Sequence, residues 1–312
     1  MRKLVRFDWA MKKLLRSKAN FNVLAGFLSE LLGEEITILE ILESESNKEH
    51  EDDKYNRVDL LIRDSRNVLV IIEVQTTSEP DYLLRMLYAS SKVITEHMQA
   101  GAAYRQVKKV ISVNIVYFDL GHGDDYVYKG STSFYGVHTG GELLLNDKQR
   151  ALYQQESIPH LFPEYYIIKV NQFNDIAKNT LDEWIYFLKN NEIQDTFSAK
   201  GLREAKQLFD VMRLPEEDRA EYESYMEALR TKYSQIKGNY DFGFISGKFE
   251  GREEGREMGR EEGLKEGREE GREAAMRETA RNLLRNGVSV EIITKVTGIT
   301  AEEIARLDDK HQ

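Results

Sequence analysis

The chain has 312 residues, of which 41% are hydrophobic and 31% are charged, and its formal net charge is −10. This length can bury one large core or two smaller ones, and the composition is typical of a globular protein with a charged segment. The absence of cysteine excludes a disulfide framework, a thiolate zinc site and a thiol nucleophile and suggests a cytoplasmic protein, and the absence of any long apolar run argues against a membrane partner.

The N-terminal segment predicts two amphipathic helices and a strand. Apolar residues recur at helical spacing in residues 7–16 and again in residues 21–32, while residues 35–43 alternate as in a strand. Residues 1–20 carry seven Lys or Arg against one acid. We therefore expect Lys12 and Lys13 to be available to phosphates, with an ordinary solvated helix face as the alternative.

Residues 58–75 predict a β-hairpin in which two acids face each other. Two runs rich in Val, Ile and Leu flank a polar patch, and each run contains one acid, Asp59 or Glu73. A three-residue loop at 65–67 places Asp59 opposite Glu73 and Arg57 opposite Gln75. Asn67 tolerates the positive φ with which such loops commonly end.

Two carboxylates that face each other across a strand pair repel, and a divalent cation removes that repulsion. Ligation by oxygen alone suits Mg²⁺ or Mn²⁺. The alternative is that one acid is exposed or is paired with Arg57 or Arg63.

A helix and a buried strand are predicted to follow the hairpin. The helix extends to about residue 99, and the strand lies within residues 107–120. Arg85, Tyr88 and Lys92 share a helix face that suits a phosphate or is simply solvated. The apolar side is predicted to present Leu83, Leu84, Leu87, Val93, Ile94 and Met98. Further strands are predicted in residues 126–137 and 165–173, and helices in residues 180–190, 198–211 and 215–233.

Glycine recurs at every fourth position from Gly243 to Gly271, interleaved with Arg and Glu. Eight glycines disfavour a helix by roughly 8 kcal/mol relative to alanine. The segment is therefore either flexible or stabilised by packing between helices, and we expect a homo-oligomer through the C-terminal region. Three short helices predicted in residues 274–286, 290–296 and 301–307 resemble a helix-turn-helix. Because residues 300–309 are rich in acids, we expect an interaction or capping role for them.

The sequence resembles the PD-(D/E)xK nuclease superfamily, in particular its recombination-promoting nuclease and putative transposase branch. The similarity lies in Asp59 followed by Glu73-Val74-Gln75 at the end of the next apolar strand, in the segment 7–15 and in the glycine repeat. It implies a mixed α/β fold with a restriction-endonuclease-like αβββαβ core, and the predicted element order agrees. It also implies a DNA endonuclease linked to recombination or transposition.

The resemblance implies that Asp59, Glu73 and the carbonyl of Val74 bind Mg²⁺ or Mn²⁺. Gln75 stands where the family has Lys, and we expect it to orient the attacking water. The register suggests that Arg57 supplies the missing positive charge. Asp8 either interacts with the helix dipole or, by resemblance, approaches the metal.

The alternative function is a catalytically impaired, nuclease-like DNA-binding or oligomeric scaffold, which the Gln75 replacement favours. The predicted organisation comprises a nuclease-like core (1–178), a helical region (179–240), the glycine-repeat segment (241–273) and a small helical module (274–312).

Overall fold

The computed structural model describes residues 4–42 and 59–308. Its strands are β1 (Ile38–Leu42), β2 (Leu60–Asp64), β3 (Leu69–Gln75), β4 (Val110–Val116), β5 (Val127–Gly130) and β6 (Glu164–Lys169). Its α-helices are α1 (Phe7–Lys13), α2 (Phe21–Leu32), α3 (Tyr82–Glu96), α4 (Asp147–Tyr153), α5 (Thr180–Asn190), α6 (Leu202–Leu208), α7 (Glu216–Arg285), α8 (Val290–Thr297) and α9 (Ala301–Asp308).

The strands form one mixed sheet in the order β1-β2-β3-β4-β6-β5. The pairs β1–β2, β2–β3 and β5–β6 are antiparallel, whereas β4 is parallel to both β3 and β6. From α2 to β4 the chain follows the order helix, three strands, helix, strand. The predicted αβββαβ core with a mixed central sheet is therefore confirmed.

The β2–β3 hairpin has the register predicted from the sequence. Leu60 pairs with Ile72, and the amide of Asp64 donates to the carbonyl of Val68 at 3.0 Å, which leaves a three-residue loop. Asn67 ends this loop with a φ of 66°. The buried carboxylate of Asp64 also accepts the backbone N–H groups of Arg66 and Val68, so the chain itself holds the loop in place.

The core lies on both faces of the central strands. On one face Leu69 and Ile71 of β3 pack against Ala89 and Val93 of α3. Elsewhere in the same unit α1, α2 and α5 meet in an aromatic cluster, whose rings lie 5.4 to 6.3 Å apart between centroids. The cluster consists of Phe7, Phe27, Trp184 and Phe187. Phe7 therefore anchors the first helix to the rest of the fold.

The prediction that the leucines of α3 lie on its buried side is wrong. Leu83, Leu84 and Leu87 are 54 to 68% exposed. The buried side instead carries Tyr82, Met86, Ala89, Ser90 and Val93. Ala89 and Ser90 are small and let the helix approach the sheet closely, a packing advantage that hydrophobic spacing alone does not reveal.

Other predicted elements differ mainly in length. The strand predicted in residues 126–137 is limited to β5, after which glycines interrupt the chain. Helix α4 was not predicted, although Asn146 and Gln149 form a capping box that marks its start. The glycine-repeat segment is helical and belongs to α7.

The chain divides into two compact units, Met1–Tyr225 and Met226–Gln312. The finer segmentation at 178, 240 and 273 stays a prediction. Within the second unit Ala280, Ile293 and Ile304 form a small buried cluster that joins the end of α7 to α8 and α9. No helix in residues 4–42 or 59–308 has the length and apolar character needed to cross a bilayer.

We expect the conformation of Asn67 to control the stability of the hairpin. Asn67→Gly should leave the free energy of unfolding within a few tenths of a kcal/mol, because glycine accepts positive φ freely. Asn67→Val should lower it by about 1–2 kcal/mol, because the Cβ of a branched residue is strained there. Urea unfolding monitored by circular dichroism measures both changes. Equal stability of the two variants would contradict the role given to this residue.

Candidate active site

Asp59 lies directly before β2, and Glu73 lies near the end of β3. Asp59 directly precedes Leu60, the partner of Ile72, so continuing the antiparallel ladder by one step sets Asp59 opposite Glu73. The Oδ2 atom of Asp59 accepts the backbone N–H of Val74 at 2.9 Å. In an antiparallel pair the N–H and C=O of one residue point to the same side. The carbonyl of Val74 therefore points toward the strand edge at which Asp59 lies.

Glu73 is a buried acid, and only one of its two carboxylate oxygens has a polar partner among the described residues. It is 4% exposed, and its Oε2 lies 3.4 Å from a guanidinium nitrogen of Arg85. Its Oε1 is buried and has no hydrogen-bond partner among the described residues. Burial raises the pKa of Glu73 to about 7, Arg85 opposes that shift, and the negative charges of Asp59 and Glu79 add to it. An orphaned carboxylate oxygen beside a second acid is an arrangement that a bound cation would complete.

Glu79 links Arg85 to Gln75 beside this pair. Its carboxylate accepts hydrogen bonds from Arg85 at 2.8 and 3.0 Å and from the amide nitrogen of Gln75 at 2.8 Å. The same amide nitrogen also donates to the carbonyl of Thr77 at 3.1 Å. Gln75 is thus held by its nitrogen, and the amide oxygen is the atom that can accept a hydrogen bond from a water molecule.

Basic side chains from α1 and the turn after it reach the other acid. The ammonium group of Lys12 lies 3.4 Å from Oδ1 of Asp59, and about half of the Lys12 side chain is exposed. Arg16 donates to the backbone carbonyl of Asp59 at 3.1 Å. Together with Arg85 from α3, these groups bring positive charge to a pair of acids that would otherwise repel each other.

Three other predicted residues do not join this group in the described chain. Lys13 pairs with Glu221 at 2.6 Å, and Lys92 pairs with Glu96 along α3 at 3.6 Å. Asp8 is buried and accepts hydrogen bonds from Arg6, from the Tyr225 hydroxyl at 2.6 Å and from the backbone N–H of Trp9. Arg57 lies outside the described residues.

The alternative pairing of the acids with Arg63 is not what the structure shows. Arg63 forms its ion pair with Glu40 of the neighbouring strand β1. Its positive charge is therefore used within the sheet, away from the Asp59–Glu73 pair.

A role for Glu79 and for the polar groups next to Glu73 was not predicted from the sequence. Asn114 of β4 is the strand neighbour of Glu73, and its side chain accepts a hydrogen bond from the buried hydroxyl of Tyr82 at 3.2 Å. A buried asparagine within the apolar run 110–116 was the available signal for this group. The sequence signal for Glu79 was weaker and consisted only of its position a few residues after the strand that carries Glu73.

The donor set agrees with a hard divalent cation that keeps several of its waters. Asp59 and Glu73 offer two carboxylates, and the Val74 carbonyl points to the same strand edge. Mg²⁺ is commonly held by one or two carboxylates together with water and substrate phosphate. Across residues 4–42 and 59–308 no cluster of three or more His, Cys, Asp or Glu side chains could hold a metal ion.

Comparison with protein families gives two matches. The family model described as PD-(D/E)XK nuclease family transposase matches residues 5–239. The model described as Rpn/YhgA-like nuclease family, C-terminal HTH domain matches residues 272–309. The second match agrees with the predicted helix-turn-helix arrangement of the last three helices. No curated protein and no solved structure gives a significant match.

We expect Glu73→Gln to stabilise the metal-free protein at neutral pH. The carboxyl of Glu73 has an ordinary pKa of 4.5 and a pKa of about 7 in the folded chain. As the pH rises through this window the unfolded chain loses the proton first, so this group's contribution to stability falls and then levels off above pH 7. Gln has no such proton, and the stability difference between the variants should grow to roughly 2–3 kcal/mol.

Urea unfolding in the presence of a chelator, at several pH values between 4.5 and 8, measures this difference. Glu96→Gln on the surface of α3 is the matched control and should show only a small difference, because its carboxylate is exposed to solvent. A difference for Glu73→Gln that stays constant over this range would show that the carboxyl is not held protonated by burial.

Proposed function

Since the chain belongs to the family of PD-(D/E)XK nuclease transposases, we propose that it is a metal-dependent DNA endonuclease that hydrolyses phosphodiester bonds. The observation that supports this proposal best is the pairing of Asp59 with Glu73, in which Oε1 of Glu73 is buried without a partner among the described residues. Nucleases of this superfamily generally use divalent metals, and we propose Mg²⁺ or Mn²⁺ as the ion.

Asp59, Glu73 and the Val74 carbonyl are the groups that would hold the ion. When bound, a divalent cation lowers the pKa of a water ligand and neutralises charge that develops on the phosphate. Side chains of the protein orient the attacking water. Gln75 is fixed by Glu79 and Thr77, and its amide oxygen accepts a hydrogen bond from the attacking water.

We assign the positive charge that the family obtains from its strand lysine to the helical residues Lys12 and Arg85. Lys12 is half exposed next to Asp59, so its ammonium group is available to a phosphate oxygen. Arg85 is shared between Glu73 and Glu79 and is less available. The predicted contribution of Arg57 stays a prediction.

The proposed partners are DNA and a second copy of the chain. DNA is supported by the nuclease family and by the C-terminal match to a helix-turn-helix domain. The acid-rich segment 300–309 favours contacts with protein over base reading by the last helix. Association of copies is supported by the exposed glycine-repeat part of α7, which has little reason to be helical without a partner.

A second candidate function is a nuclease-like DNA-binding scaffold without turnover. Gln75 favours it, because an amide brings no positive charge to the phosphate. The presence of both Asp59 and Glu73, one step beyond Leu60 and Ile72 in the β2–β3 ladder, favours the enzyme.

Plasmid cleavage in Mg²⁺ or Mn²⁺ separates the two candidate functions. We expect the wild type to cleave, and Asp59→Asn and Glu73→Gln each to lower the rate by about 10²-fold or more, as loss of several kcal/mol of charge stabilisation requires. Chelation of the metal should abolish cleavage. A wild type that binds DNA but does not cleave it with either metal would favour the scaffold. Cleavage that survives both substitutions would remove the proposed site.

The neighbouring residues Lys12 and Lys13 provide a matched test of the proposed positive charge. Lys12→Ala should lower cleavage at saturating Mg²⁺ by about tenfold, because one charge-assisted contact to phosphate is lost. Lys13→Ala should change the rate by less than twofold, because Lys13 is paired with Glu221. Calorimetric titration with Mg²⁺ should show metal binding by both variants. Equal effects of the two substitutions would indicate only a general attraction between a basic helix and DNA.

A further inference from the structure

Lys12, the cation assigned to the substrate phosphate, lies one helical turn beyond a buried acid of its own helix. Asp8 is 4% exposed and precedes Lys12 by four residues, so the two side chains share a face of α1. An acid four residues before a lysine is the spacing that favours an ion pair along a helix. In the described chain, however, Lys12 pairs with Asp59, and Asp8 pairs with Arg6. Asp8 is therefore not available to its neighbouring lysine.

The carboxylate of Asp8 is saturated by other donors. A carboxylate can accept about four hydrogen bonds, two at each oxygen. Oδ1 accepts the backbone N–H of Trp9 at 2.9 Å and Nε of Arg6 at 3.2 Å. Oδ2 accepts Nη2 of Arg6 at 3.2 Å and the hydroxyl of Tyr225 at 2.6 Å. Each oxygen therefore already has two donors, and none of the four comes from Lys12.

Contacts with other elements hold both side-chain donors in place. The guanidinium group of Arg6 lies 5.4 Å from the centre of the Tyr117 ring, and the backbone N–H of Arg6 donates to the Tyr222 hydroxyl at 3.3 Å. Tyr225 belongs to α7 and is half-buried. Burial and the negative charge of Asp8 raise the pKa of the Tyr225 hydroxyl above its ordinary value, so this group keeps its proton and acts as a donor at neutral pH.

The first turns of α7 also fix the position of α1. The ring of Tyr222 packs against Trp9 with 5.2 Å between ring centres, and Glu221 pairs with Lys13 at 2.6 Å. A helix as short as α1 is unstable on its own, so its position depends on tertiary contacts such as these. Tyr225 adds a different contact, because its hydroxyl binds the acid that shares a helix face with the lysine of the proposed site.

We propose that Tyr225 and Arg6 are positioning residues for Lys12. By occupying Asp8, they leave the Lys12 ammonium group free to contact Asp59 and the substrate phosphate. The inference rests on the proposed nuclease function and adds residues that act on the site through Lys12. Without the Tyr225 hydroxyl, a buried carboxylate oxygen would lack one donor, which is unfavourable. Lys12, one turn away, is a cation that can fill this position, and it would then be withdrawn from the phosphate.

A double-mutant cycle in the full-length protein tests this positioning role. Tyr225→Phe removes only the hydroxyl and should lower plasmid cleavage at saturating Mg²⁺ by about three- to tenfold, a loss bounded by that of Lys12→Ala. In the Lys12→Ala background the same substitution should change the rate by less than twofold, because no ammonium group is left to be withdrawn. Equal losses in both backgrounds would show that Tyr225 supports only the fold, and this result would overturn the proposal.

Tyr222→Phe is the matched control. It also removes one hydroxyl from the start of α7, but the partner of that hydroxyl is the backbone N–H of Arg6 and not the carboxylate of Asp8. The control should change the cleavage rate by less than twofold in either background, and circular dichroism should show that both tyrosine variants are folded. A loss for Tyr222→Phe as large as that for Tyr225→Phe would overturn the role given to the Asp8 contact.

Salt-dependent DNA binding tests the positioning role separately from cleavage. On the Glu73→Gln background, Lys12→Ala should reduce the slope of log affinity against log salt concentration by about one unit, because one phosphate contact is lost. Tyr225→Phe should reduce the slope by a similar amount, and combining the two should reduce it no further.

An unchanged slope for Tyr225→Phe, or additive reductions, would overturn the positioning role even if the wild type cleaves DNA. A wild type that shows the non-additive pattern but cleaves no DNA would refute the nuclease proposal and support the positioning role.

Discussion

The three-residue turn at Ser65, Arg66 and Asn67 determines which side chains of β2 and β3 meet. A slip of one residue in a strand pair moves every side chain to the opposite face. In this hairpin such a slip would turn Glu73 away from Asp59 and would expose apolar side chains that now pack against α3. Asn67 adopts a left-handed backbone conformation and Asp64 accepts two N–H groups of the loop. The geometry of the proposed metal site is thus set at the far end of the hairpin.

Two neighbouring acids, one of them buried, weaken the fold, and cations from outside the sheet limit this cost. Arg85 from α3 contacts Glu73, and Lys12 from α1 contacts Asp59. The compensation is incomplete, since one oxygen of Glu73 lacks a partner within the described chain and burial raises the pKa of this acid to about 7. Strain of this kind is expected at functional sites, where a ligand completes what the protein leaves unsatisfied.

The parts of the fold that could be predicted from the sequence are those governed by local rules. Strand alternation, loop length and the tolerance of Asn67 for positive φ together predicted the hairpin register that the structure has from Leu60–Ile72 to Arg63–Leu69. The placement of Asp59 opposite Glu73 follows from extending that register by one residue. The buried side of α3 was not predictable in this way, because the choice between its leucines and its Ala89–Ser90 side depends on how closely the helix approaches the sheet. Glu79 and Lys12 reach the acids from separate elements, and such convergence is decided by tertiary packing.

Gln75 stands where the family has a strand lysine. The positive charge of the proposed site therefore depends on residues outside that strand. A lysine two residues beyond Glu73 would be positioned by the same ladder as the acid. Lys12 instead depends on the docking of α1, and Phe7 of that helix is held by the aromatic cluster with Phe27 and Trp184. The acids therefore follow the hairpin register, while the positive charge follows the packing of helices. Small shifts of α1 would change the charge presented to a phosphate without disturbing the carboxylate pair.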